Sequence, residues 1–193
     1  MKNVFIMAAV CLLLVSACGK TDTKKAPAVS AATDQPLKRD ASLVPNYSGL
    51  IEEYRTILQE DPNNLAAIIA LGNAYFDDAQ WKQAITMYEH ALLLDSRNAD
   101  VRTDMGTAYR NIGMMDRALA EYRTALTYDR GHLNARYNMG VIFASNKKDY
   151  KAAVRVWKEL LKLAPNYPHA ETIRSAIMTL EKPGAKDERR SGV

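Results

Sequence analysis

Cysteine is nearly absent. Two residues, Cys11 and Cys18, in a chain of 193 exclude a disulfide framework and a Cys-rich zinc module. Histidine is as sparse: His90, His132 and His169 are scattered along the chain, with none of the close spacing that metal ligation needs. Nine glycines and seven prolines exclude collagen-like and Gly/Ser-rich architectures. After the export-like start no apolar run approaches the roughly 20 residues of a membrane-spanning helix. No sign of charge prevails in the body either. The net charge of +4 sits at the ends, with five basic against three acidic residues between 19 and 46 and four against two from Lys182 onward, while the stretch between has sixteen against seventeen. A neutral body with basic ends lacks the single basic face of a nucleic-acid binder, so no nucleic-acid partner is expected. What remains, 48% hydrophobic and 25% charged residues, is the balance of a folded globular domain.

The chain opens with Met1-Lys2-Asn3, a short positive segment, followed by an unbroken apolar run from Val4 to Val15. That is the layout of an export signal. Val15-Ser16-Ala17-Cys18 follows and resembles the lipobox of bacterial lipoproteins. The resemblance implies that the Cys18 thiol takes a diacylglycerol before the signal is cut away, and that several acyl chains then anchor the protein to a membrane. Cys11 would leave with the signal and no free thiol would remain, which suits an oxidising compartment. Gly19, not Asp, follows the cysteine, which by the sorting rule of some envelopes points to the outer rather than the inner membrane, with the body facing the periplasm. Residues 19–46 have linker composition without hydrophobic period, and a coil of that length reaches on the order of 30 Å.

The body repeats itself. Leu71-Gly72-Asn73-Ala74-Tyr75, Met105-Gly106-Thr107-Ala108-Tyr109 and Met139-Gly140-Val141-Ile142-Phe143 recur at one fixed interval. Each is followed by an alanine and an aromatic: Ala84 and Tyr88, Ala118 and Tyr122, Ala153 and Trp157, the last pair displaced by one position. The extra residue is expected in the turn around Asn146-Lys147-Lys148. Motif and interval together resemble the tetratricopeptide repeat, whose period is about 34 residues, and the resemblance covers the stretch 47–182. It implies an all-α fold, a right-handed α-solenoid of three hairpins, each with a first and a second helix, flanked by two capping helices. The domains then read as a signal (1–17), a lipidated cysteine with a disordered linker (18–46), an N-terminal capping helix (47–64), repeats at 65–98, 99–132 and 133–166, a C-terminal capping helix (167–182) opened by Pro168, and a disordered tail (183–193).

A mid-helix glycine costs about 0.5–1 kcal/mol against alanine, so three in register need a packing reason. Gly72, Gly106 and Gly140 are expected to lie against Ala84, Ala118 and Ala153, with Tyr75, Tyr109, Phe143, Tyr88, Tyr122 and Trp157 filling the layers between hairpins. Met87, Met105, Met114, Met115 and Met139 read as core filler.

No phosphate loop, serine elbow, Cys-His pair or HExxH is present, the three histidines should be far apart in a solenoid, and Asp77-Asp78 reads as a solvated helix end. No catalysis, cofactor or metal is expected. Function then belongs to a surface. In tetratricopeptide proteins the first helices line a concave groove, and the corresponding positions here are Ile69, Asn73, Phe76 and Asp77, then Asp100, Thr103, Asp104, Thr107, Arg110 and Asn111, then Asn134, Tyr137, Asn138 and Val141. Asn and Thr are poor helix formers, so Asn73, Thr103, Thr107 and Asn138 are the first candidates for ligand contact. Some family members grip a chaperone's terminal carboxylate with basic groove residues; Ile69, Asp104 and Asn134 stand at such positions, and Asp104 would repel that ligand. A neutral or mildly basic extended segment fits better. The expected role is a membrane-anchored scaffold or assembly factor for a protein partner in the bacterial envelope, in pilus or secretion, outer-membrane or cell-wall machinery. The alternative is a module that binds cell-wall glycan or peptide.

Overall fold

The computed structural model describes residues 46–182. The expected signal, Cys18 anchor, linker and tail lie outside them. Among the described residues there are eight α-helices and no strand: α1 (Tyr47–Glu60), α2 (Leu65–Asp77), α3 (Trp81–Leu94), α4 (Ala99–Asn111), α5 (Met115–Tyr128), α6 (Leu133–Val141), α7 (Tyr150–Leu163) and α8 (Ala170–Glu181). A π-helical turn, Ile142–Asn146, continues α6. The fold is an all-α solenoid in which α2 pairs with α3, α4 with α5, and α6 with α7.

Local chemistry starts each first helix at the same place in the repeat. Asn64 Oδ1 accepts the Ala67 N–H at 3.0 Å, and Asn98 Oδ1 accepts that of Val101 at 3.1 Å. His132 takes over at the same place in the next repeat, its Nδ1 accepting the Ala135 N–H at 3.1 Å. Such caps satisfy amide groups that the helix itself leaves without partners. Asp61, Asp95 and Asp129, equally spaced along the chain, close the preceding turns by accepting the N–H two positions on. Each of the first two hairpins then turns through a residue in the left-handed region, Ala79 at φ 58° and Gly113 at φ 83°. Lys148, at φ 53°, does the same in the third.

The extra residue of the third repeat is therefore not absorbed in the turn, where it was expected. Three residues separate the helices in every hairpin, and the extra one is taken up inside the first helix as the π turn, where the Lys147 N–H reaches the Ile142 carbonyl at 3.0 Å. Two smaller expectations are also corrected. Pro168 lies in the turn and α8 opens at Ala170. Met114 precedes α5 and is 45% exposed, so it is not core. His132 borders a hollow of about 340 Å³ with Asp100, Tyr167 and Pro168.

The left-handed positions give a clean test, because Gly113 has no heavy atom near the place a β-carbon would take. Gly113→Ala should cost about 1 kcal/mol through backbone strain alone, whereas Ala79→Gly and Lys148→Gly should each stabilise by about 0.5–1 kcal/mol. Urea unfolding measures all three.

The nearest neighbours of the three glycines are rings. A β-carbon on Gly72 would lie 2.8 Å from Tyr88 Cε1, on Gly106 2.6 Å from Tyr122 Cε1, and on Gly140 2.1 Å from Trp157 Nε1. At Gly106 the Ala118 carbonyl oxygen follows at 3.2 Å. Ala84, Ala118 and Ala153 are fully buried beside them. Tyr88 and Tyr122 are among the largest side chains with essentially no exposure, and full burial of an apolar side chain of that class is worth about 1.5–3 kcal/mol. One apolar core runs from Ile51 to Val156; a second, around Trp157 and Leu160, holds Ile173 and Ile177 of α8. Tyr75 and Tyr109 are buried in the first, and Phe143 is half-buried between the two.

Candidate functional site

The polar residues of the first helices are tied to the tyrosines that fill the hairpins. Tyr88 Oη donates to Asn73 Oδ1 at 2.8 Å. One repeat on, Thr107 Oγ1 donates to the Thr103 carbonyl at 2.9 Å and lies 3.1 Å from Tyr122 Oη, so the tyrosine is the donor between them. Asn138 Nδ2 adds a second donor to Thr107 at 3.3 Å, and Arg110 donates to Asn138 Oδ1 at 3.4 Å. A hydroxyl has one proton and two lone pairs, so Thr107 is saturated within the protein. In the third repeat the matching pair is Val141 and Trp157, and the polar partners disappear together; Trp157 Nε1 donates instead to the Tyr137 carbonyl at 3.2 Å.

Thr103 is corrected outright as a ligand contact. It is 3% exposed and its hydroxyl donates to the Ala99 carbonyl at 2.8 Å. The third repeat's candidates are largely engaged by the chain's own end. Tyr167 donates to Asn134 at 2.8 Å, Tyr137 stacks on His169 with ring centroids 4.9 Å apart, and Val141 packs on the core that includes Ile173. Ile69 leans on the main core, and Phe76 sits edge-on to Trp81 at 4.9 Å. What still faces outward is the free amide nitrogen of Asn73, with Asp77, Asp100, Arg110, Asn111 and the half-buried Asp104.

Asp104 is the unusual member of this set. No hydrogen bond or ion pair holds its carboxylate among the described residues, whereas Asp100 has His132 Nε2 at 2.9 Å. Burial, reinforced by Asp100 and Asp77, pushes the Asp104 carboxyl up to about 7. Burial raises Asp77 too. Tyr88 is raised by burial first and then by the charges of Asp104 and Asp77. The sign for stability follows. The native state holds a proton on Asp104 that the unfolded chain, with an ordinary carboxyl near 4, has lost, so stability falls as pH rises from about 4 to 7 and then levels. Asp104→Asn should stabilise by about 2 kcal/mol at pH 8 and change nothing near pH 4, as read by thermal unfolding across that range.

Models of the tetratricopeptide repeat match residues 51–103, 99–132 and 134–167. The chain belongs to the tetratricopeptide-repeat family. No curated protein matches it significantly. Among solved structures, two crystal structures of MamA superpose with TM-scores of 0.61 and 0.60 at 21% identity, over 69% and 74% of this chain and 84% and 86% of theirs. MamA from Desulfovibrio magneticus RS-1, from residue 41 to its end, gives 0.59 at 18% identity over 62% of this chain and 67% of its own. At these identities the likeness is one of fold. As a tetratricopeptide-repeat protein the chain is a protein-interaction scaffold, of a family that is generally non-catalytic.

The link between the tyrosines and the polar helix positions was missed by sequence reasoning. The signal was there: Asn73 and Tyr88, like Thr107 and Tyr122, stand 15 residues apart, and where the tyrosine is replaced by tryptophan the polar residue is replaced by valine.

Proposed function

We propose that this protein is an exported, lipid-anchored scaffold of a bacterial cell envelope, held to the outer membrane through Cys18 and presenting its repeats to the periplasm. Its concave face takes an extended, neutral to mildly basic segment of a partner protein. The observation that carries the binding reading is the half-buried Asp104 carboxyl, which no ion pair holds among the described residues and whose surroundings include Asp77 and Asp100. Ionising a half-buried carboxyl beside two others is costly in the free protein, and a Lys or Arg side chain of a bound segment would relieve that cost. The export reading rests on the apolar run Val4 to Val15 and on Val15-Ser16-Ala17-Cys18. The family and the sequence leave the machine served, whether pilus, secretion, outer-membrane or cell-wall assembly, to be named by its partner.

The test is in-cell cross-linking of the full chain beside Asp77→Lys/Asp104→Lys, a variant that leaves the Tyr88–Asn73 and Tyr122–Thr107 pairs in place. A protein captured by the native chain, lost by the variant and released by salt supports the groove. A partner retained by the variant overturns the groove reading, and affinity for purified sacculi with no protein partner would favour a cell-wall ligand. Labelled fatty acid should enter the native chain and fail to enter Cys18→Ser.

A further inference from the structure

The described chain begins and ends on half a hairpin. α1 follows the register of the second helices, with Ile51, Tyr54 and Leu58 standing one repeat length before Ile85, Tyr88 and Leu92. α8 follows the register of the first helices: Ala67, Val101, Ala135 and Ala170 are all buried, as are Ala74, Ala108, Ile142 and Ile177. Within the described residues α1 therefore has no first helix before it, and α8 has no second helix after it.

Among the described residues no helix covers the faces these partners would take. On α3 that face is Ala84, Tyr88 and Ala91, at most 1% exposed; on α1 the same positions are Leu50 at 39%, the half-buried Tyr54 and Ile57 at 36%. On α2 and α4, Tyr75 and Tyr109 are 6% exposed, and on α8 the same position is Met178 at 66%. The two ends also differ in charge at one matched pair. Met87 of α3 lies over Gly72 of α2, its Cβ 3.3 Å from where a β-carbon would stand, and Leu71 is the neighbour of that glycine; the Leu71 and Met87 positions carry Arg174 on α8 and Glu53 on α1. Glu121 stands at the Glu53 place in the second repeat and holds Arg102 at 2.9 Å, but Arg102 lies three residues before the Arg174 place, where α8 carries Glu171. Ser175 stands where α2 has Gly72.

We propose that α8 of one copy packs against α1 of a second copy, completing the missing hairpin and joining the chains head to tail. The two surfaces are different, so the contact is heterologous and the assembly grows beyond a dimer. Arg174 rests meanwhile on Glu171 and on the Pro165 carbonyl, exposed contacts that a joint with Glu53 would replace. Ser175 carries a β-carbon where Gly72 has none, and such a carbon on Gly72 would lie 2.8 Å from the tyrosine ring. The joint is accordingly wider and weaker than the internal hairpins.

Sedimentation of the full chain tests this. The native protein should grow in average mass with concentration beyond a dimer. Leu50→Asp/Ile57→Asp spoils one end and Met178→Asp the other; these side chains are exposed, so far-UV dichroism should remain that of the native chain, and each variant alone should associate at least about tenfold more weakly. Mixing the two variants should restore association but stop at dimers, because each brings one intact end. Glu53→Arg should weaken association and Arg174→Glu, added to it, should recover it. A native chain that stays monomeric to about 1 mM, variants that associate as the native chain does, or a mixture that stays monomeric would each overturn the proposal.

Discussion

Gly140→Ala is expected to destabilise the protein by about 3 kcal/mol, although alanine is the better helix former by about 1 kcal/mol. The reason is the Trp157 ring. A β-carbon on Gly140 would stand 2.1 Å from Nε1 and 2.5 Å from two ring carbons, and the ring has nowhere to go: it is 6% exposed and its N–H is committed to the Tyr137 carbonyl. Relief requires α6 and α7 to separate, which opens the core that also holds α8. Gly106→Ala and Gly72→Ala should follow in that order, since their closest contacts are 2.6 and 2.8 Å. Chemical unfolding of the three variants checks the ranking. A stabilised Gly140→Ala would mean that the helices are not in contact through this glycine. Adding Trp157→Leu to Gly140→Ala should recover part of the loss, because the smaller side chain leaves the β-carbon room, and the two changes are then strongly non-additive.

Tyr122→Ala should cost about 4 kcal/mol, the middle of the range for removing a large buried aromatic side chain. The ring has no exposure, packs over Gly106 and supplies the hydroxyl that fills one lone pair of Thr107. Tyr122→Phe isolates the hydroxyl and should cost only about 1 kcal/mol. The two variants should differ in a second way. The phenylalanine keeps the hairpin and merely frees an acceptor on Thr107, so groove binding should survive in Tyr122→Phe if the partner contacts Asp104 and not the Thr107 line. Unfolding curves and partner binding measured on the same samples separate these effects.

The architecture was legible because its signal is long and redundant. Three Gly-aromatic pairs at a constant spacing place six helices without any knowledge of side-chain geometry. The contacts of those glycines were not legible, since whether a glycine meets an alanine or an aromatic ring depends on ring orientation, and Ala84 and Tyr88 lie on the same helix face one turn apart. The groove was readable as a set of positions and misleading as a set of contacts. Low helix propensity marked Asn73, Thr103, Thr107 and Asn138 as residues with a purpose, but propensity cannot tell an internal purpose from an external one. Three are occupied by neighbours within the protein and Asn73 only on its oxygen side. Asp104, named first as a charge that repels one ligand, stands out only when burial and the absence of a counter-charge are known together.

The π turn at Ile142–Asn146 bears on how this chain must be compared with any other. Each residue advances an α-helix by about 100°, so adding one without the bulge would swing every later side chain of that helix by more than a quarter turn, and the core positions would face water. Widening a single turn instead holds the phase: Ile142 stays buried at the position of Ala74 and Ala108, and the hairpin still closes through a left-handed residue at Lys148. A ruler of fixed repeat length laid along the chain therefore reads correctly up to this turn and names the wrong face of α7 and α8 beyond it, and any residue transferred onto that half by counting has to be moved by one.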